Sequence, residues 1–303
     1  MFYSILGVYS FVLVGFGAKH WFKDQIQERT FVVLSIYFLQ PILVFWGLST
    51  KPLDTSSLMV PLWFWAGIGI ALLFGLSVAY LFFKDSKTRS VITASAIIGN
   101  TGNLGIPLGI AIFGEASIVY TSLIVLANIL ILQTVGVFLY SRGQYSPKES
   151  IRNIFKLPVI WVAMLALICN LSGVQIEPNI FRALEMGAYT ALTIQLITFG
   201  IFIHHVKLRN MDLKLLLHVN ILKFILIPAV LFPLFLSLNL PPIVVGVLLL
   251  ELTVPMAINN VNYASLYYCK PVEVTTLVLV TSLVYFLYLW AMVWLFKTTG
   301  ILA

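Results

Sequence analysis

What this sequence has least of is charge. Only 10% of its 303 residues are Asp, Glu, Lys or Arg, against 60% hydrophobic, and the mean hydropathy is +1.02. A soluble domain of this length has no interior large enough for so much apolar surface, so the composition requires a polytopic membrane protein. Acids are scarcer than bases, 11 against 18, for a net charge of +7. In a soluble chain that excess would point to an acidic partner; here topology accounts for it, and nucleic acid is not needed. Cysteine is almost missing, and Cys169 and Cys269 fall near opposite membrane faces, with neither zinc spacing nor a plausible disulfide. No GxxxxGK[ST] loop is present, so the sequence offers no P-loop for ATP. Nor is there a nucleophile with a base or a cluster of metal ligands, so the chain is not expected to be an enzyme or to carry a metal or cofactor. Polar loops long enough to fold alone are missing too. Met1–Ala18 lacks a basic start and a small-residue cleavage site, and reads as a retained first span.

What is present is a recurrence of apolar runs near the length of about 20 residues that a spanning helix needs. Ten are counted: Phe2–Ala18, Thr30–Thr50, Leu58–Phe83, Ser90–Gly114, Ala116–Ser141, Leu157–Val174, Gly187–Ile203, Leu215–Leu238, Pro242–Cys269 and Val274–Phe296. Loop charges set their direction. Fourteen Lys and Arg fall on one side, in loops 19–29, 84–89, 142–156 and 207–214 and at Lys270. Three fall on the other, Lys51, Arg182 and Lys297. The expectation is an inner or plasma membrane protein with both termini outside.

The loop Arg142–Lys156 divides the ten spans into two groups of five, residues 1–145 and 146–303. Five is odd, so related halves would be inverted repeats. The fourth span of each half is interrupted. In the first, Gly99-Asn100-Thr101-Gly102-Asn103-Leu104-Gly105-Ile106-Pro107 breaks Ser90–Gly114; in the second, residues 251–260 place Pro255 and the pair Asn259-Asn260 inside Pro242–Cys269. Glycine and proline are poor helix-centre residues. Either segment alone reads as tight packing or a kink. Both together, at corresponding places, read as a transporter binding site. Each proline suits the first turn of a new half-helix, and a helix N-terminus offers free N–H groups and about half a positive charge. The expected substrate-binding set is Asn100, Gly102, Asn103, Gly105, Pro107, Pro255, Asn259 and Asn260, receiving an anion without a fixed cation.

The motif Gly-Asn-Thr-Gly-x-Leu-Gly-Ile-Pro-Leu at Gly99–Leu108 resembles the auxin efflux carrier family of permeases, within the bile, arsenite and riboflavin transporter superfamily. Val254-Pro255-Met256-Ala257-Ile258-Asn259, followed by Tyr267 and Tyr268, resembles that family's second crossover. The resemblance covers nearly all ten spans. It implies an all-α fold of two inverted five-helix repeats and an elevator-type carrier, often a homodimer, for organic anions. The short central loop is similar to bacterial malate and malonate permeases. Alternatives that stay open are a sodium-coupled symporter of a larger organic anion and an anion channel.

Two ionisable residues lie deep in spans, where charge is expensive and usually functional. Lys223 and Glu251 are each fourteen residues from Ser237. If their spans are neighbours they meet at similar depth, and the pair is expected to act either as a structural neutraliser or as a charge switch coupled to H+ or Na+. Gln40-Pro41, and Gln195 with Thr198, occupy corresponding places in the two halves and are weaker candidates for a polar lining. Asn128 and Gln133 are expected to hydrogen-bond neighbouring helices.

Overall fold

A computed structural model of the chain describes residues 2–141, 152, 154–204 and 212–302, without the side chains of Phe2, Thr55 and Ser56. The expectations for Arg142, Lys148, Lys207 and Arg209 lie outside the described residues. Everything described is helix or short connection, with no strand among the described residues. The helices are α1 (Phe2–Phe22), α2 (Glu28–Ser49), α3 (Thr55–Phe82), α4 (Ser86–Ile97), α5 (Thr101–Phe113), α6 (Glu115–Ser141), α7 (Pro158–Leu171), α8 (Pro178–His204), α9 (Leu213–Ser237), α10 (Pro242–Thr253), α11 (Asn259–Leu266) and α12 (Pro271–Thr298).

Seven of these are long and apolar enough to cross a membrane: α1, α2, α3, α6, α8, α9 and α12. The other expected spans appear as shorter helices, of which α5, α7 and α10 are apolar. The fourth is split into α4 and α5, the ninth into α10 and α11, and the sixth is α7. Apolar residues surround α1, α3 and α12 with little sidedness, as lipid on one side and helices on the other allow.

Prolines shape several helices from within. Three π-turns, Ser35–Leu39, Thr101–Gly105 and Leu222–Leu226, each end two residues before a proline: Pro41, Pro107 and Pro228. Proline has no N–H and its ring crowds the preceding turn. Widening that turn to i→i+5 bonding accommodates the ring without ending the helix.

The chain forms two compact units, each drawn from both halves of the sequence. The first is Met1–Val60, Gly102–Leu126 and Arg152–His205; the second is Pro61–Thr101, Ala127–Ile151 and Val206–Ala303. In the first, α1 and α8 pack most extensively. Their glycines make this approach possible: a Cβ on Gly15 would run into the Ile197 carbonyl, and one on Gly200 into the Val12 carbonyl. Asn170 of α7 clamps the end of α2, donating to Leu48 O at 2.6 Å and Lys51 O at 2.8 Å while accepting from Leu53 N at 2.8 Å. At the same end, Lys51 Nζ donates to Tyr120 O–H at 2.8 Å.

In the second unit, Asp85 caps α4, accepting from Thr88 N at 3.0 Å, and pairs with Lys270 at 3.2 Å. Gly75 lets α3 close on Thr93 and Ala96 of α4, and Gly67 lets α3 close on Leu252 of α10. Helix α3 thus packs on both α4 and α10, the two helices that end at the interruptions.

Candidate functional site

The two interruptions meet inside the second unit. Helix α4 stops at Ile97 and α10 stops at Thr253, where Val254 precedes Pro255 and takes extended backbone. A residue before proline disfavours helix, so Pro255 ends one half-helix and does not start the next. The extended segments then pair as a single antiparallel bridge between Gly99 and Met256. Asn100 N–H donates to Pro255 O at 2.9 Å, and Ala257 N–H donates to Ile98 O at 3.3 Å. Unwound backbone within an apolar core thus finds partners in its counterpart, which is the condition for non-helical chain at membrane depth.

Side chains lock the crossing. Asn260, fully buried, donates through Nδ2 to Ile98 O at 3.1 Å and Ala257 O at 2.9 Å, and accepts from Tyr140 O–H at 2.9 Å. Asn128 donates to Thr101 Oγ1 at 2.9 Å and to Gly99 O at 3.4 Å, so it straddles Asn100. Thr281 Oγ1 accepts from Met256 N–H at 3.3 Å. Gly99 must be small: a Cβ there would sit 2.8 Å from Val254 Cγ2.

The new half-helices start elsewhere than expected. Helix α5 begins at Thr101 with the widened turn ahead of Pro107, so Pro107 lies in its second turn. Helix α11 begins at Asn259, four residues after Pro255. Ile258 occupies the N-cap of α11, and Asn259 is its first helical residue.

The structure joins Asn100 to Pro255 through the backbone and ties Asn260 to the flanking carbonyls of Ile98 and Ala257, with Asn259 at the start of α11 and half-buried. Asn100 is 4% exposed, and its Nδ2 has no hydrogen-bond partner. Gly102, Asn103, Gly105 and Pro107 belong to the first unit. There Gly102 faces Gln40, whose Nε2 lies 3.5 Å from where a Cβ would be, and Asn103 is half-buried while Gly105 and Pro107 are buried. Gln195 of the same unit is 2% exposed, with Oε1 unpartnered.

The expected Lys223–Glu251 pair is not made. Lys223 Nζ instead lies 3.5 Å from Ser95 O in α4, and neither carboxylate oxygen of Glu251 has a hydrogen-bond partner. Equal spacing from Ser237 presumed regular helix. The turn Leu222–Leu226, which contains Lys223, carries an extra residue and shifts the helical phase by roughly 100°.

Sequence reasoning missed Tyr140 and Ser95. A tyrosine at a span end and a serine amid apolar residues carry no local signal for such roles. Asn128 and Gln133 do bond neighbouring helices, Gln133 by accepting from Tyr263 O–H at 3.0 Å. No group of three or more His, Cys, Asp or Glu able to hold a metal occurs among the described residues.

Paired interrupted helices in an all-helical chain with spans of this kind define a class, the membrane transporters built on broken helices. The Membrane transport protein family matches residues 1–294, and the chain belongs to that family, the auxin efflux carriers. It is similar to an uncharacterized transporter of Methanocaldococcus jannaschii, 25% identical over 276 residues, which are 87% of this chain and 88% of the relative. The protein is therefore a multi-pass membrane transporter.

Proposed function

We propose that the protein is a secondary active transporter of a small organic anion, a carboxylate such as malate, malonate or an auxin-like aromatic acid, driven by a proton or sodium gradient. The observation that carries this reading is the bridged crossing of Gly99 and Met256, from which α5 and α11 both start. The start of α11 brings the partial positive charge of a helix N-terminus to the crossing, and the side-chain amides of Asn100 and Asn259 are not consumed by its hydrogen bonds. Asn260 is assigned to holding the crossing together, because its donors and its acceptor are spent there.

The ten-span arrangement in two inverted repeats, 1–145 and 146–303, belongs to the same reading. Its support is that each half has its interruption in the fourth of five apolar segments. The excess of Lys and Arg in one set of loops supports both termini outside. An elevator-type cycle, with the unit that contains the crossing as the carrier body, and a homodimeric assembly follow from family membership as proposals.

The test is substrate affinity in the double variant Asn100→Ala, Asn259→Ala. The half-saturation concentration for the transported carboxylate should rise at least about tenfold, the equivalent of one or two charge-assisted hydrogen bonds, with yield and monodispersity unchanged. Unchanged affinity in a well-folded double variant would refute the assignment.

A further inference from the structure

Glu251 is unlike every other acid among the described residues. It is 1% exposed, in the last turn of α10, and both its carboxylate oxygens are buried without a hydrogen-bond partner. It also stands at the crossing: a Cβ built on Gly99 would lie 3.6 Å from the Glu251 carbonyl oxygen. A carboxylate ion taken from water into such surroundings without partners is penalised by many kcal/mol, and the usual resolution is a bound proton.

The neighbouring elements supply little to offset a negative charge. From α9 comes Lys223, 1% exposed and 3.5 Å from Ser95 O, the only buried Lys or Arg among the described residues of this unit. Helix α12 contributes Tyr285 and Tyr288 within its length, with Glu273 and Lys297 at its ends; α3 contributes only Tyr80, near its C-terminus. Helix α4 has Lys87 and Arg89 in its first turn and no ionisable group beyond them, and the extended segments of the crossing have none.

We propose that Glu251 is the proton carrier of the transport cycle, so that each anion moves together with a proton held on the Glu251 carboxyl. This rests on the transport reading above. Atoms with no accessible surface leave no room for a hydrated metal ion or for the substrate, whereas a proton needs no volume. The coupling is electrostatic. With the proton on, the crossing holds a neutral acid and tolerates an arriving carboxylate. With it off, a second negative charge stands beside the anion in a medium of low dielectric and opposes its binding. The proton is taken from water on one side by a carboxylate oxygen and returned to water on the other, with no other bond made or broken.

The experiment uses the full chain in liposomes, with radiolabelled malate and malonate as probes and the voltage clamped at zero. An acid-outside gradient should raise accumulation about tenfold per pH unit if one proton accompanies each anion. Glu251→Gln should lose that stimulation, whatever its residual rate, and Glu251→Asp should keep it. Stimulation retained in Glu251→Gln, or accumulation driven by sodium and not by pH, overturns the proposal. A second readout needs no transport. Infrared difference spectra of protein labelled with carbon-13 glutamate should show the carbonyl band of a protonated carboxylic acid that Glu251→Gln removes. A missing band overturns proton carriage by Glu251 alone. Uptake of neither probe nor of any other carboxylate overturns the transport reading itself.

Discussion

The crossing predicts a specific pattern of coupled stabilities at Asn260 and Tyr140. Asn260→Ala removes three hydrogen bonds, to Ile98 O, Ala257 O and Tyr140 O–H, in a fully buried place. Two of the partners have second bonds: Ile98 O still accepts from Ala257 N–H, and Ala257 O from Asn260 N–H. The Tyr140 hydroxyl is the one group left stranded. Lost bonds are worth about 1 kcal/mol each and a stranded buried hydroxyl costs about 1–3 kcal/mol, so the substitution should cost on the order of 3–5 kcal/mol. Tyr140→Phe removes one bond and leaves Asn260 Oδ1 without its donor, for about 1–2 kcal/mol. The double variant no longer strands the hydroxyl, so its cost should fall short of the sum by about 1 kcal/mol or more. The assay is denaturant or thermal unfolding in detergent, followed by tryptophan fluorescence and monodispersity, for the wild type and the three variants. Strict additivity would refute the claim that the two side chains bond each other across the crossing.

The packing elsewhere in the protein has further consequences. Gly15→Ala or Gly200→Ala drives a methyl group into the facing helix backbone and should abolish folded protein or cost more than about 3 kcal/mol. Gly7→Ala and Gly17→Ala, with nothing within 4 Å, should be silent by yield and chromatographic profile. At the start of α4, hydrogen bonding from Thr88, helped by Lys270, lowers Asp85 to about 2. A lowered carboxyl contributes stability above its ordinary range near pH 4 and loses it as pH falls toward about 2. Asp85→Asn should therefore flatten the acid limb of a stability–pH curve, by about 1 kcal/mol or less because the group is largely exposed. Asn170→Ala should loosen the end of α2 by about 2 kcal/mol through three lost bonds, one of which strands Leu53 N–H, read as faster amide hydrogen exchange at Leu53.

Helix positions were largely legible because apolar run length is a strong signal in a membrane chain. Thr30–Thr50 and Leu215–Leu238 were expected, and Glu28–Ser49 and Leu213–Ser237 are found. The two interruptions were legible for the opposite reason, since Gly99–Pro107 and Val254–Asn260 are rich in residues that helices exclude. Where the new half-helices begin was not. Proline reads as a helix starter from sequence, yet Pro255 ends α10, and Pro107 lies a turn inside α5 because a widened turn absorbs it. The same device misplaced Lys223. Counting residues from Ser237 gives depth, but a π-turn changes direction, and direction decides whether Nζ meets Glu251 or Ser95. Long-range partners such as Tyr140 with Asn260, 120 residues apart, leave no trace in local pattern. Nor do the two compact units, each assembled from separate stretches of chain.

In the proposed function, the crossed interruptions serve the transport of a carboxylate. Its most direct test is uptake by the purified protein in liposomes, offered labelled dicarboxylates, aromatic acids, organic cations and neutral solutes in parallel. Saturable, gradient-driven accumulation of at least one carboxylate, competed by its unlabelled form, is expected, with none of the cations taken up. Accumulation of cations or neutral solutes in its place, or non-saturable flux of anions, would contradict it.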